Sequence, residues 1–408
     1  MRVHPFCAVR PSPELASRVA AVPYDVVDRE EAAELARGNP HSFLHVGRSD
    51  IDLPDNIDSH DPRIYIRARE ALDEFLARGT LLRDRQRSLY LYRQLMNGRT
   101  QTGVVGCVHV DDYERDIIRK HEKTRQDKED DRTRHVLTLN AHAEPVFLAY
   151  RAHPQIDALS ESVASTEPLH DFVAPDGVQH TVWRVPRTEP LVDAFQAVPH
   201  AYVADGHHRS ASAWRAGKER RAANPRHHGN EEYNWFLAVL FPANQLTIMP
   251  YNRVVRDLAG KTPAEVLREL SGLGRISDTE DPRPARAGTF CFYLEGAWRR
   301  LELAEEMIDR QDPIASLDVS LLQDRVLGPI LGIGDPRTDK RLDFVGGIRG
   351  TAELEHRVNS GAMAIAFSMY PTTMDQLMAV SDAGAIMPPK STWFEPKLRS
   401  GLFVHELD

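Results

Sequence analysis

Ala201-Tyr202-Val203-Ala204-Asp205-Gly206-His207-His208-Arg209-Ser210-Ala211-Ser212-Ala213-Trp214 is the stretch whose reading decides the fold. Its first four residues read as a buried strand and the run from Ser210 as a helix, with Asp205 to Arg209 at the junction. The first N–H groups of a helix have no intrahelical acceptor and carry the positive end of the dipole, so such a junction suits an anion. Gly206 permits a positive φ and lets a ligand approach the backbone, while Arg209 adds a fork of donors. Asp205, His207 and His208 bring acid–base or metal-binding capacity. A strand feeding a helix in this way predicts an α/β chain of the mixed, α+β kind.

Working outward, composition narrows the partners. The 408 residues are 41% hydrophobic and 27% charged, which suits a globular chain with room for two domains. A net charge of −9 with a pI near 6.1 argues against a nucleic-acid binder, which needs a basic surface. Cys7, Cys107 and Cys291 lie far apart and form no CxxC pair, and no apolar run suits a signal peptide or a membrane span. The expectation is a cytoplasmic protein that binds small molecules and touches neither nucleic acid nor membrane, with a homodimer left open.

Helix and strand signals alternate along the chain. Ser12-Pro13 opens a helix, and Asp28 to Ala36 reads as another, stopped by Arg37-Gly38-Asn39-Pro40. Asn97-Gly98, Asp176-Gly177 and Glu295-Gly296 mark hairpins. Between the strand-like runs ending at Val110 and beginning at Pro145, residues 111–135 switch to dense charge, with Arg119, Lys120, Lys123, Arg125, Lys128, Arg132 and Arg134 among acids. Leu317 to Ile333 is helix-like as far as Gly328-Pro329, and Leu342 to Met369 has a βαβ flavour. Ser277 to Gly288, with Pro282 and Pro284, is the best linker, so the expected domains are 1–276 and 288–408. The tail, Pro388 to Gly401, mixes aromatic rings with Lys and Arg and is expected to dock near a functional surface.

Missing parts exclude familiar chemistries. There is no GxxxxGK[ST], GxGxxG, HExxH or GxSxG motif and no kinase catalytic loop. Adjacent His207 and His208 diverge in extended backbone and no thiolates cluster, which argues against zinc.

Asp205-Gly206-His207-His208-Arg209 between strand and helix resembles the phosphate-binding box of the ParB/sulfiredoxin-like fold, and His121-Glu122 resembles the His-Glu pair of the free serine kinases of that fold. Nearly end to end, the strings Pro23 to Val27, His121 to Thr124, Tyr202 to Arg209, Asp335 to Thr338, Asp343 to Gly350 and Lys390 to Gly401 resemble an uncharacterised family of prokaryotic proteins of about this length, a domain of unknown function. The resemblance implies a ParB/sulfiredoxin-like core with large additional α/β elaborations, and phosphorylation of free L-serine with ADP, ATP or pyrophosphate as donor. His207 stands where a sulfiredoxin carries its reactive cysteine, which removes the sulfinic-acid reductase reading. The arginine-rich box and helix-turn-helix of the chromosome-partitioning relatives are not evident.

Phosphoryl transfer needs positioning, neutralisation of the equatorial oxygens and a proton acceptor. Glu122 is the candidate base, with His121 beside it, against a plain salt bridge to Lys123 or Arg125. Asp205, Gly206, His207, His208 and Arg209 would hold donor phosphates, with Arg132, Arg134 and Lys390 as further contacts; the bland alternative is Asp205 as a helix cap. Asp205 is also the candidate contact to Mg²⁺. Tyr24 and Asp25 are candidates for the small acceptor, Asp25 either meeting an ammonium group or capping the helix near Asp28. Beside the kinase stand two alternatives, a nucleotide-binding regulatory protein without chemistry and a hydrolase using water as acceptor.

Overall fold

Val146–Tyr150 and Trp235–Pro242 are apolar at nearly every position, the pattern of strands covered on both faces, and both are buried almost throughout. They form the centre of a nine-stranded mixed sheet. Its strands in chain order are β1 (Val3–His4), β2 (Tyr90–Met96), β3 (Arg99–His109), β4 (Ile118–Arg119), β5 (Val146–Tyr150), β6 (His170–Val173), β7 (Gln179–Arg184), β8 (Ala201–Asp205) and β9 (Trp235–Pro242). The spatial order is β4-β8-β5-β9-β3-β2-β7-β6, with β1 beside β3. β5 runs parallel to β9 and antiparallel to β8, and β8 runs parallel to β4. Asn97 and Gly98 both take positive φ in the turn between β2 and β3, as a two-residue hairpin requires.

The computed structural model describes all 408 residues. Met1–Leu246 together with Pro396–Asp408 form one unit, and Thr247–Glu395 form a second. In the first, helices α1 (Arg29–Ala36), α2 (Pro62–Ala77), α3 (Gln126–Leu139) and α4 (His207–Ala223) build the layers that matter for the site. α1 starts at a capping box in which Asp28 accepts from the Glu31 amide and Glu31 returns the bond. The charged run of residues 126–135 is α3, and its acids fasten α4: Arg215 meets Glu129 at 3.2 Å and Asp130 at 2.6 Å, and Ser212 donates to the Glu129 carbonyl. The Pro396–Asp408 segment returns to this unit, bridging Ala21 through Ser400 and Val9 through Val404 and pairing His405–Glu406 with Ala141–His142.

The second unit carries β10 (Tyr251–Val255), β11 (Gly274–Asp278), β12 (Thr289–Leu294), β13 (Ala297–Leu303), β14 (Leu342–Gly346) and β15 (Ile365–Ser368) in the order β11-β13-β12-β15-β10-β14. Every pair is antiparallel. The βαβ segment is present in split form: β14 and β15 are joined across the helix Ala352–Asn359, and β10 lies between them. The expected linker, Ser277 to Gly288, holds the end of β11 and its connection to β12 inside this unit, so the proline-rich segment and the division between compact units fall at different places. No helix is long and apolar enough to cross a membrane.

The core of the first unit buries an unusual number of imidazoles. Burial holds His135 and His180 down at about 3 and His170 and His109 at about 4, and it holds His142 well below the ordinary imidazole value. These rings stay neutral in the folded chain to that pH, whereas in the unfolded chain they take up a proton near 6.5. The unfolded state therefore binds more protons in the window between, and stability falls as pH drops through it. Two carboxyls raised by burial to about 7, Glu144 and Asp318, act in the opposite direction but are outnumbered. Urea midpoints should fall steadily from about pH 7.5 to about pH 5, and a midpoint flat across that range contradicts this account.

Candidate functional site

β8 ends at Asp205, Gly206 turns the chain at φ 92° and ψ 37°, and α4 starts at His207. Only glycine enters that region without strain, and a Cβ at 206 would stand 3.0 Å from Arg209 Nε. The first intrahelical bond runs from the Ser210 amide to the Gly206 carbonyl, so the amides of His207, His208 and Arg209 precede the helix's own ladder. The result is a helix N-terminus of the anion-binding kind, carried on a helix of 17 residues.

Arg209 is the centre of the site and only 8% exposed. Its Nη1 donates to the Pro145 carbonyl at 2.5 Å and its Nη2 to Asp205 Oδ2 at 2.9 Å, with Asp25 Oδ2 at 3.6 Å. Burial opposes its charge, but Asp25, Asp205 and Glu144 more than offset that and keep it protonated. Asp205 is not a cap, because α4 takes no side-chain bond at its N-terminus. Burial acts to raise the Asp205 carboxyl, but Lys397, Arg209 and His207 outweigh it and hold the group at about 2. Lys397 Nζ lies 3.6 Å from Asp205 Oδ1.

Two imidazoles face each other beside this turn. His121 and His207 meet edge to face with centroids 4.5 Å apart, and burial pushes each down to about 3, so both are neutral. Both ring nitrogens of His121, His207 Nε2 and Arg209 Nε have no partner in the protein. Buried polar atoms are nearly always paired, so four such atoms, two at this turn and two on His121 packed against it, point to a ligand or solvent. Glu122 Oε2 stands 3.7 Å from His207 Nδ1, and Glu122 and Asp25 are the open carboxylates, 39% and 38% exposed. His208 accepts the Arg125 amide through Nε2 at 3.1 Å, which fixes the loop after Glu122.

Tyr24 sits under the Arg132 guanidinium, 4.3 Å from Cζ to ring centroid, and Arg132 is held by Asp131 at 2.7 Å. Arg134 lies over the Tyr65 ring at 5.4 Å, and Tyr65 donates to Asp131. Thus Tyr24, Asp25, His121, Glu122, Arg132 and Asp205 to Arg209 form one connected neighbourhood of the first unit, which Arg134 joins only through Tyr65 and Asp131. Lys390 belongs to the second unit, where its ammonium stands over the Tyr251 ring at 5.4 Å.

Sequence reasoning missed two members. Glu144 accepts from Ser400 Oγ at 3.2 Å and is raised by burial to about 7, with Arg209 and Arg132 opposing. With Arg132, Arg209 and Ser212 it lines a cavity of about 30 Å³, room for roughly two waters. Its signal was a lone carboxylate set between Ala143 and Pro145 at the mouth of an all-apolar strand. Lys397 gave none beyond its place in the tail.

Both Asp205 oxygens face cations, Arg209 and Lys397, and nowhere do three His, Cys, Asp or Glu side chains converge on a metal site. A protein-held Mg²⁺ on Asp205 does not fit this donor set. The site instead suits an anion whose own oxygens carry any cation.

No curated protein matches the sequence. A free serine kinase in complex with AMP is similar with a TM-score of 0.35 and 13% identity over 74% of this chain and 91% of its own. A conserved hypothetical protein from Pyrococcus furiosus gives 0.34 and 14% over 74% and 95%. SbnI with C-terminal truncation from Staphylococcus aureus gives 0.37 and 12% over 74% and 87%. Likenesses of this size carry no argument about activity, which must come from the site itself. At the level of sequence the assignment is firm: a family model matches residues 3–320, and the chain belongs to the family described as Protein of unknown function (DUF1015).

Proposed function

We propose that this site transfers a phosphoryl group to the hydroxyl of a small metabolite, free L-serine becoming O-phosphoserine, from ADP, ATP or pyrophosphate bound as its Mg²⁺ complex. The observation that carries the reading is the cluster of unpartnered buried atoms at the Gly206 turn, Arg209 Nε, His207 Nε2 and both nitrogens of His121, with the open carboxylate of Glu122 against it. The His-Glu and Asp-Gly-His-His-Arg resemblance supplies the acceptor.

In this scheme the donor's phosphates sit on the amides of residues 207–209 and on Arg209, where charge developing on the oxygens meets donors already in place. Glu122 accepts the serine hydroxyl proton as the oxygen attacks phosphorus, and the bond to the leaving phosphate or nucleotide breaks. His207, neutral, stands beside Glu122, and His121, also neutral, packs edge to face on His207. Asp25, open and next to Arg209, receives the amino acid's ammonium. Arg132, stacked on Tyr24, closes the wall with its charge already balanced by Asp131.

The expected product is phosphoserine, seen by phosphorus NMR when the full chain is incubated with donor, Mg²⁺ and L-serine. Donor consumed without serine would instead mark the hydrolase reading, and donor bound without turnover the regulatory one. Glu122→Gln should lower kcat by about 10² to 10⁴ while donor affinity stays within about twofold, the usual size of a lost general base. Unchanged turnover would remove Glu122 from the role. Gly206→Ala should weaken donor binding and cost about 1 to 3 kcal/mol of stability, because alanine at that φ is strained and its Cβ displaces Arg209; calorimetry and urea titration report the two effects separately.

A further inference from the structure

Tyr251, Arg253 and Val255 alternate with Asn252 and Val254 along β10, so the two sets face opposite sides of the second unit's sheet. Val254 packs with Leu354 and Ala366 in a small apolar core. Arg253 is therefore on the other side, in mid-strand, with Phe344 of β14 and Phe367 of β15 opposite it. It is 3% exposed. An arginine in that position is costly unless something neutralises it.

Nothing in the protein does. Its guanidinium donates to two backbone carbonyls, of Tyr251 and Lys390, and lies over the Phe344 ring at 5.3 Å. No carboxylate is paired with it, and burial alone pulls its pKa down to about 9, in contrast to Arg209, which three carboxylates sustain. Arg253 also lines a cavity of about 230 Å³. Across that cavity is the helical segment that begins at Asp318, and there Ser320 Oγ is buried without a partner. The segment switches to π winding over Gln323–Leu327, a local change that recurs at functional sites. Gln323 spends its amide on the Ile333 and Gly334 carbonyls, and Asp324, the one carboxylate on the cavity's lining, is exposed and makes no ion pair with Arg253. Phe344, Leu327 and the Pro388-Pro389 pair supply apolar wall.

We infer that this cavity is a second binding site, for a small metabolite carrying one carboxylate or phosphate group on an apolar body, with the oxyanion held by Arg253 and Ser320. The guanidinium fork matches either oxyanion, and the ligand's charge replaces the missing carboxylate. The volume is below that of pockets for drug-sized ligands, which sets the size of the occupant. The site stands apart from the phosphotransfer reading, since none of its residues is used there and it does not fail if serine is not phosphorylated.

Calorimetry on the full chain with inorganic phosphate and with butyrate distinguishes the two oxyanions. At least one should bind, with affinity reduced about tenfold or more in Arg253→Met and about threefold or more in Ser320→Ala, as loss of a charged and a neutral hydrogen-bonding partner implies. Without ligand, Arg253→Met should be at least as stable as the parent, because it removes a buried unpaired charge. Binding of both probes that is the same in the parent and both variants overturns the inference. Crystals of the unaltered chain soaked in selenate give an independent reading: an anomalous peak beside Arg253 supports the site, and a peak only at the Gly206 turn contradicts it.

Discussion

Arg209 donates to the Pro145 carbonyl and to Asp205 while Asp25 lies within ion-pair reach, so one buried guanidinium joins positions 25, 145 and 205 of the chain. Those positions belong to the N-terminal layer, the entry to β5 and the exit of β8. Removing one partner of such a buried network strands the others, which typically costs about 3 to 5 kcal/mol. The Gly206 turn exists to let that guanidinium fold back, since any Cβ there would press on it. Once Arg209 is in place, the amides of residues 207–209 are left ahead of the helix's own ladder, and the surrounding charge is arranged around them.

The junction itself was legible in the sequence because its features are local: an apolar strand, a glycine, and a helix start within a dozen residues. The hairpins at Asn97-Gly98, Asp176-Gly177 and Glu295-Gly296 were legible for the same reason, and each forms in the structure. Asp25 shows where local reading ran out. As a cap or an ammonium ligand it had two uses in view, yet Asp28 takes the cap and Asp25 turns toward Arg209, 184 residues away. Glu144 stood in the sequence only as a lone carboxylate and Lys397 only as part of the tail, because only long-range packing brings them to Arg209 and Asp205. The tail was expected to dock near a functional surface, and Lys397 and Ser400 do reach Asp205 and Glu144, but its partners were hidden, since its return rests on isolated bridges and one two-residue strand.

The two units handle buried arginine in opposite ways. Arg209 is over-supplied with carboxylates, so its anion must approach through Nε and the helix amides. Arg253 has none, and its strand position leaves the charge facing a cavity. The split βαβ arrangement explains this placement: β10 is flanked by β14 and β15, and the helical segment on the cavity's lining brings the unpartnered Ser320 hydroxyl together with Asp324, which does not pair with Arg253.

The most direct test of the central claim is a crystal structure of the full chain with a non-hydrolysable nucleotide and L-serine. The account predicts a phosphate on the amides of His207 and His208 and on Arg209 Nε, at about 2.7 to 3.2 Å, with the serine hydroxyl within the same reach of Glu122. A nucleotide whose phosphates lie elsewhere, or a serine hydroxyl that Glu122 does not meet, would contradict it.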